Sequence, residues 1–303
     1  MNTKRKRKTA ILGLSSLVLI ALSITLFLTI HKEKDNDVFM HISFDDSLTV
    51  FEDLTNHSNT YDSIFDNDFL SYLKNLHDHY GAVFSLFCYY ENDHFNLSKA
   101  TDQFASEFNM NKDWLKFGYH GTNSEEKMAD IAASVAVSKY ENVINELIRI
   151  TGGMDTIDIV PRLHSFSGNE PALLALSNAN LGSNGFLTAD DDRDSYYLRN
   201  DKNLYIANHD FFKDDNGIYF VSTDLRLENT LNPYSSLLKI TDDENQNKCI
   251  EVFTHEWQFG DLMKLKLWAT CFFAYKEGYS WDFPMYRYEQ QMIMAGVEKK
   301  SLG

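Results

Sequence analysis

The 303-residue sequence is short of the residues that break or cross-link a chain, with four prolines, 14 glycines and three cysteines. So little proline and glycine excludes a collagen-like or linker-rich architecture. Cys88, Cys249 and Cys271 lie far apart, show no C-x-x-C spacing and each falls in an apolar run. Buried free thiols fit that setting; one disulfide is the alternative if the body lies outside the cell. Neither a G-x-S-x-G elbow nor a G-x-x-x-x-G-K-[ST] loop occurs, which leaves a serine hydrolase of that type and a P-loop NTPase without support. Cations are scarce too: 28 Lys and Arg face 44 Asp and Glu, and the formal charge of −16 argues against nucleic acid as a partner.

What is present is apolar material, 44% of residues, enough for one large domain or two ordinary ones. Charge is unevenly placed. Lys4, Arg5, Lys6, Arg7 and Lys8 form a cationic tip, and the remainder holds 23 basic against 44 acidic residues, or −21. From Thr9 to Ile30 the chain runs 22 residues without a charge, roughly 33 Å as a helix, about one bilayer core. The expected organisation is therefore a cytoplasmic tip (1–8), an uncleaved single-pass transmembrane helix in the cell membrane (9–30) and one extracytoplasmic catalytic domain (36–303). No good A-x-A cleavage site precedes His31; a long signal peptide would give the same compartment but a released protein.

The body alternates strand and helix patterns. Val38–Phe44 reads as a strand ending in Asp45-Asp46, Phe65–Tyr80 as an amphipathic helix stopped by Gly81, and Ala82–Tyr89 as a strand. A helix near Lys99–Asn109, a strand at Trp114–Tyr119 and a long helix over Glu125–Ile150 follow. Ile157–Leu163, Gly185–Ala189 and Cys249–Thr254 read as strands, and Asp261 to about Glu277 as a helix. This order predicts an α/β fold, either a regular or incomplete (β/α) barrel or a doubly wound sheet. A dinucleotide-binding sheet would want a glycine-rich first turn; here the turn is the acidic FDDSLT.

Polar residues gather where strands end: Asp45-Asp46, His120, Arg162 with His164, Asp190-Asp191-Asp192-Arg193, and His255-Glu256. In a barrel such ends converge on one face, and that face carries catalysis. Asp with His suits a divalent metal, zinc first, and a second carboxylate beside it can take a proton from water. Asp45-Asp46 could instead cap the next helix. The acids around Arg193 could shape a sugar-binding loop or neutralise one another at the rim. Arg226, in TDLRLE, could reach the cleft or sit in a surface ion pair. Trp257 and Tyr119 are candidates for stacking on sugars, with core packing the alternative. Glycosidic cleavage would pair Asp45 with Glu256 or Asp191.

The segment His41-Ile42-Ser43-Phe44-Asp45-Asp46-Ser47 resembles the first motif of the polysaccharide deacetylase superfamily (carbohydrate esterase family four and relatives), T/S-F-D-D-G. Phe117–Gly121 resembles the start of its histidine motif, Pro161-Arg162-Leu163-His164 its arginine motif, and Phe253-Thr254-His255-Glu256 its late L-x-H-D motif. The resemblance covers roughly residues 38–260 and implies a distorted (β/α)7 barrel, of the glycoside hydrolase/deacetylase type, that removes acetyl groups from a cell-surface or capsular glycan. It implies Asp45 as general base held by Arg162, His255 as the acid for the leaving group, and Asp46 and His120 as metal ligands. The family's second ligand histidine, four residues on, is Ser124 here. His164 is the expected substitute, with Glu125 or water the alternatives. Tyr119, Asp191, Arg193 and Trp257 are the expected substrate contacts. With one ligand position changed, a glycan-binding protein without turnover is the competing expectation.

Overall fold

A computed structural model describes residues 35–284, save 184, 200, 201, 203–205, 207, 208 and 242–248. The basic tip and the apolar stretch 9–30 lie outside it. Among the described residues no helix is long and apolar enough to cross a membrane.

The backbone of the fold is a parallel sheet. Its strands are β1 (Asp35–Ser47), β2 (Phe84–Tyr89), β3 (Leu115–Gly121), β7 (Leu225–Arg226) and β8 (Cys249–His255), in the order β3-β2-β1-β8-β7. A short strand β9 (Tyr279–Trp281) pairs with the first half of β1. The central strands are buried on both faces, as parallel strands covered by helices should be. Their two faces differ in kind. Met40, Ile42 and Phe44 point to the helix layer, where Phe44 meets Phe69 edge-to-face at 4.9 Å. His41, Ser43 and Asp45 alternate with them on the opposite face.

The helices follow from their sequence signals. After β1 comes α1 (Thr49–Asn56), then α2 (Asp68–Tyr80), started by the Asn67 side chain accepting from Leu70 N–H and stopped by Gly81 in the left-handed region at φ 73°. Next are α3 (Ala105–Met110), α4 (Ala133–Thr151), α5 (Glu170–Ser177), α6 (Pro233–Thr241) and α7 (Asp261–Glu277). The last matches its expected span; α4 begins eight residues later than expected, because 125–132 forms a loop with a single 3-10 turn at Met128–Asp130. Cys88, Cys249 and Cys271 are buried and unpaired.

The expected barrel does not close. The described strands form that six-stranded sheet and a separate three-stranded one, β4 (Phe186–Leu187), β5 (Phe211–Lys213) and β6 (Tyr219–Val221), in the order β4-β6-β5. Ile157–Leu163, expected as a strand, makes one parallel bridge, Phe117 with Ile157, and then departs. Pro161 has no N–H to give a ladder, although its carbonyl still accepts from Leu187 N–H at 3.0 Å. Single backbone bonds thus cross the gap where paired strands were expected.

Candidate active site

The site stands at the C-terminal ends of β1, β3 and β8. Register aligns its floor: Asp45 lies beside His255 on β8, Ser43 beside Phe253 and Ser85, and His41 beside Glu251. On β3, Gly118 leaves room for Phe87; a Cβ there would come within 2.7 Å of that ring. Arg162 enters from the irregular segment and lies fully buried, its guanidinium 4.2 Å from the centre of the Phe253 ring.

Two adjacent aspartates diverge because the ladder slips between Phe44 and Ser47, and Asp46 takes a left-handed φ of 56°. Asp45 turns inward, where its Oδ1 accepts from Arg162 Nη1 at 2.9 Å. Asp46 turns to the mouth: its Oδ1 lies 3.1 Å from His120 Nε2, and its Oδ2 accepts from Trp257 Nε1 at 3.0 Å and lies 4.0 Å from His255 Nε2. Neither aspartate caps α1. The Glu256 carboxylate does so instead, accepting from the N–H groups of Leu48, Thr49 and Val50 at 2.7–2.9 Å. Burial pushes the Glu256 carboxyl up to about 7, against those N–H donors. Glu256 is thereby committed to structure and is not available to pair with Asp45 for glycosidic cleavage.

His120 Nδ1 donates to the Arg162 carbonyl at 2.6 Å, which leaves Nε2 facing Asp46. Burial disfavours the His120 cation, but Asp45 and Asp46 outweigh it and raise its pKa. Burial also opposes the Asp46 anion, yet His120 and Tyr89 beside it hold its carboxyl well below the usual range. Asp46 Oδ1 and the Tyr89 hydroxyl are both buried, and the carboxylate oxygen has His120 Nε2 at 3.1 Å. A buried carboxylate oxygen facing an imidazole that is fixed through its other nitrogen is the donor chemistry of a cation site. The expected third ligand is not assembled. His164 opens a 3-10 turn rather than ending a strand; its ring sits 5.5 Å from that of His120, and its Nδ1 lies 3.4 Å from the Glu126 carbonyl. Burial and the neighbouring His120 lower the His164 pKa. Among the described residues no group of three or more His, Cys, Asp or Glu side chains is arranged to hold a metal.

His255 has a partner the sequence reading passed over. Its Nδ1 is hydrogen-bonded to Glu228 Oε1, and its Nε2 lies 3.3 Å from Arg226 Nη2. Burial opposes the Glu228 anion, but the His255 contact prevails and lowers its pKa. Arg226 also borders a cleft of about 490 Å³ with Asp190, Asn229 and Asn232. Of the expected sugar contacts, Trp257 is 66% exposed beside His255. Tyr119 is not a contact: it alternates with His120, so its ring is fully buried against Tyr140 in the helix layer, and a side chain with no accessible surface cannot stack on a sugar. Asp191 and Arg193 form a bidentate ion pair with each other at the rim, the neutralising alternative raised above.

No family model matches the chain, and no curated protein matches it. Among solved structures, one from Mycobacterium smegmatis, described as a "putative polysaccharide deacetylase", overlays with a TM-score of 0.49 at 12% identity, over 90% of this chain and 96% of that one. At that score the overlay decides neither fold nor chemistry, which rest on this chain's own residues.

Proposed function

We propose that the chain is a hydrolase of the deacetylase type, acting on an acetylated cell-surface or capsular glycan and anchored in the membrane by residues 9–30. The observation that carries this reading is the convergence on Asp46 of His120, His255 and Trp257, directly beside the Arg162–Asp45 pair. Asp45, oriented by Arg162, accepts the proton of the attacking water. His255, held through Nδ1 by Glu228, accepts from Arg226 at Nε2 in this geometry; once that contact opens and Nε2 takes up a proton, it protonates the departing nitrogen or oxygen of the sugar. Trp257 offers an exposed indole face for a sugar ring. Asp46 and His120 are the pair that would hold a divalent cation, zinc first, with His164 the nearest further imidazole. Such a cation supplies Lewis-acid polarisation of the acyl group.

The unassembled third ligand favours a second reading, glycan binding without turnover. One experiment separates the two. The purified full chain is incubated with acetylated glycans, with zinc or with chelator, and acetate release, glycan binding and bound zinc are measured. The hydrolase reading expects acetate release that Asp46→Ala and His255→Ala both abolish. Glycan binding with no acetate released from any substrate, and no zinc retained, would replace it with the second reading.

A further inference from the structure

Beneath the site lies a closed ring of buried polar side chains, of which the reaction above uses Arg162 alone. His41 Nδ1 lies 2.5 Å from Glu251 Oε2, and Glu251 Oε1 accepts from Ser43 at 2.7 Å and from Arg162 Nη2 at 3.1 Å. On its other side, His41 Nε2 lies 2.9 Å from Ser85 Oγ; Ser85 donates to Asp158 Oδ2, and Asp158 Oδ1 accepts from Val160 N–H at 2.9 Å. Val160 is two residues before Arg162, so the circuit closes through the backbone of the irregular segment. His41, Ser85, Glu251 and Arg162 have no exposed surface, and Asp158 is 5% exposed.

The direction of the bonds follows from the donors available. Ser85 has one hydroxyl proton and gives it to Asp158, so its oxygen accepts from His41 Nε2–H. Glu251 Oε1 is taken by Ser43 and Arg162, which leaves Oε2 to His41 Nδ1. Other charged groups near this ring are Asp45, paired with Arg162 at 2.9 Å, Asp224, whose carboxylate accepts from Glu251 N–H at 2.8 Å, and Lys116, whose ammonium lies 5.0 Å from the Phe283 ring, itself 5.5 Å from the His41 ring.

We propose that His41 is a positioning residue for Asp45. It fixes Arg162 twice, through Glu251 at the guanidinium and through Ser85 and Asp158 at the backbone, in a segment that no strand ladder holds in register. The proposal rests on the reading of Asp45 as the base. It differs from a purely packing role in what it predicts for Arg162.

The test uses the full chain with 15N in its histidine rings and arginine guanidinium groups. In the unaltered protein a solvent-protected proton is expected on His41 Nε2, another in the Nδ1–Glu251 contact, and resolved, protected Nη protons on Arg162. His41→Leu should remove the Arg162 protection and lower kcat roughly tenfold to a hundredfold with KM little changed. His41→Asn, which keeps a donor near the Nδ1 position, should restore both in part. Ser85→Ala cuts one branch, changes little volume, and should give an intermediate loss even if His41→Leu does not fold. Arg162 resonances and kcat unchanged in either His41→Leu or Ser85→Ala would overturn the proposal. If the unaltered protein releases no acetate, the resonances still decide the role of His41, and it is the hydrolase reading that falls.

Discussion

Asp45, Asp46, His120 and His255 stand at the ends of parallel strands that pair over most of their length, whereas Arg162, His164, Asp190, Arg226 and Glu228 come from a stretch of two- and three-residue strands and turns. The first wall of the site is held by backbone hydrogen bonds, and each side chain inherits its place from the register. The second wall has little of that support: Arg226, on the two-residue strand β7, is paired in register with Phe253 of β8, and the others are placed largely by side-chain contacts reaching across to the first. Arg162 is the largest such contact. Precision on the irregular side is therefore bought with buried charge, and removing that charge should affect more than catalysis.

The largest expected effect tests this directly. Arg162→Met keeps much of the volume but leaves Asp45 and Glu251 as buried carboxylates without their cation. Loss of one partner of a buried ionic network costs about 3–5 kcal/mol. Urea unfolding of the full chain should show that loss together with absence of acetate release. A loss below about 1 kcal/mol would mean that the second wall assembles without Arg162, and the contrast between the walls would fail.

The same contrast explains what could be read in the sequence. Strand alternation located β1, β2, β3 and β8, and with them Asp45, Asp46, His120 and His255. It also held information that went unused. Period two along β1 puts His41 and Ser43 on the face of Asp45, and Glu251, a charge inside the apolar run Cys249–Thr254, is the mark of a buried ion pair. Period two on β3 should also have placed Tyr119 opposite His120. The second wall was not readable in this way. Pro161 and the short strands carry no periodic signal, so Glu228 as the partner of His255, and the turn that takes His164 away from His120, depend on tertiary placement alone. Glu256 is the reverse case: a residue beside a catalytic candidate that serves the start of a helix 206 residues earlier.

A smaller effect sharpens the account of the first wall. The His120 pKa is raised because the charges of Asp45 and Asp46 outweigh burial, and that of Asp46 is lowered because His120 beside it outweighs burial there. The sign differs for the two. The His120 contribution to stability is present below its ordinary value of 6.5 and is lost as pH rises through its raised value. The Asp46 contribution is present above its ordinary value of 3.8 and is lost as pH falls through its lowered one. Thermal unfolding with chelator present should thus show stability declining as pH rises above about 6.5, by on the order of 1 kcal/mol for a charge-assisted contact. His120→Gln should flatten that decline. An equal decline in the variant would assign it to other groups.

The smallest expected effect lies at the rim of the second wall. Arg193 gives both its Nε and Nη2 to Asp191, at 2.6 and 2.5 Å, and its guanidinium lies 5.3 Å from the Phe166 ring. Both partners are substantially exposed, at 46% and 35% of side-chain surface. A pair so exposed is worth roughly 0–1 kcal/mol, because water and salt screen it. Its donors are also already spent on Asp191, unlike the indole face of Trp257, which is open. Arg193→Ala should therefore shift the unfolding midpoint by no more than that amount and change acetate release less than about twofold, where Trp257→Ala raises KM by more. A rise in KM for Arg193→Ala equal to that for Trp257→Ala would move the rim pair into the substrate path, and would show that the irregular wall binds glycan with exposed charge as well as anchoring itself with buried charge.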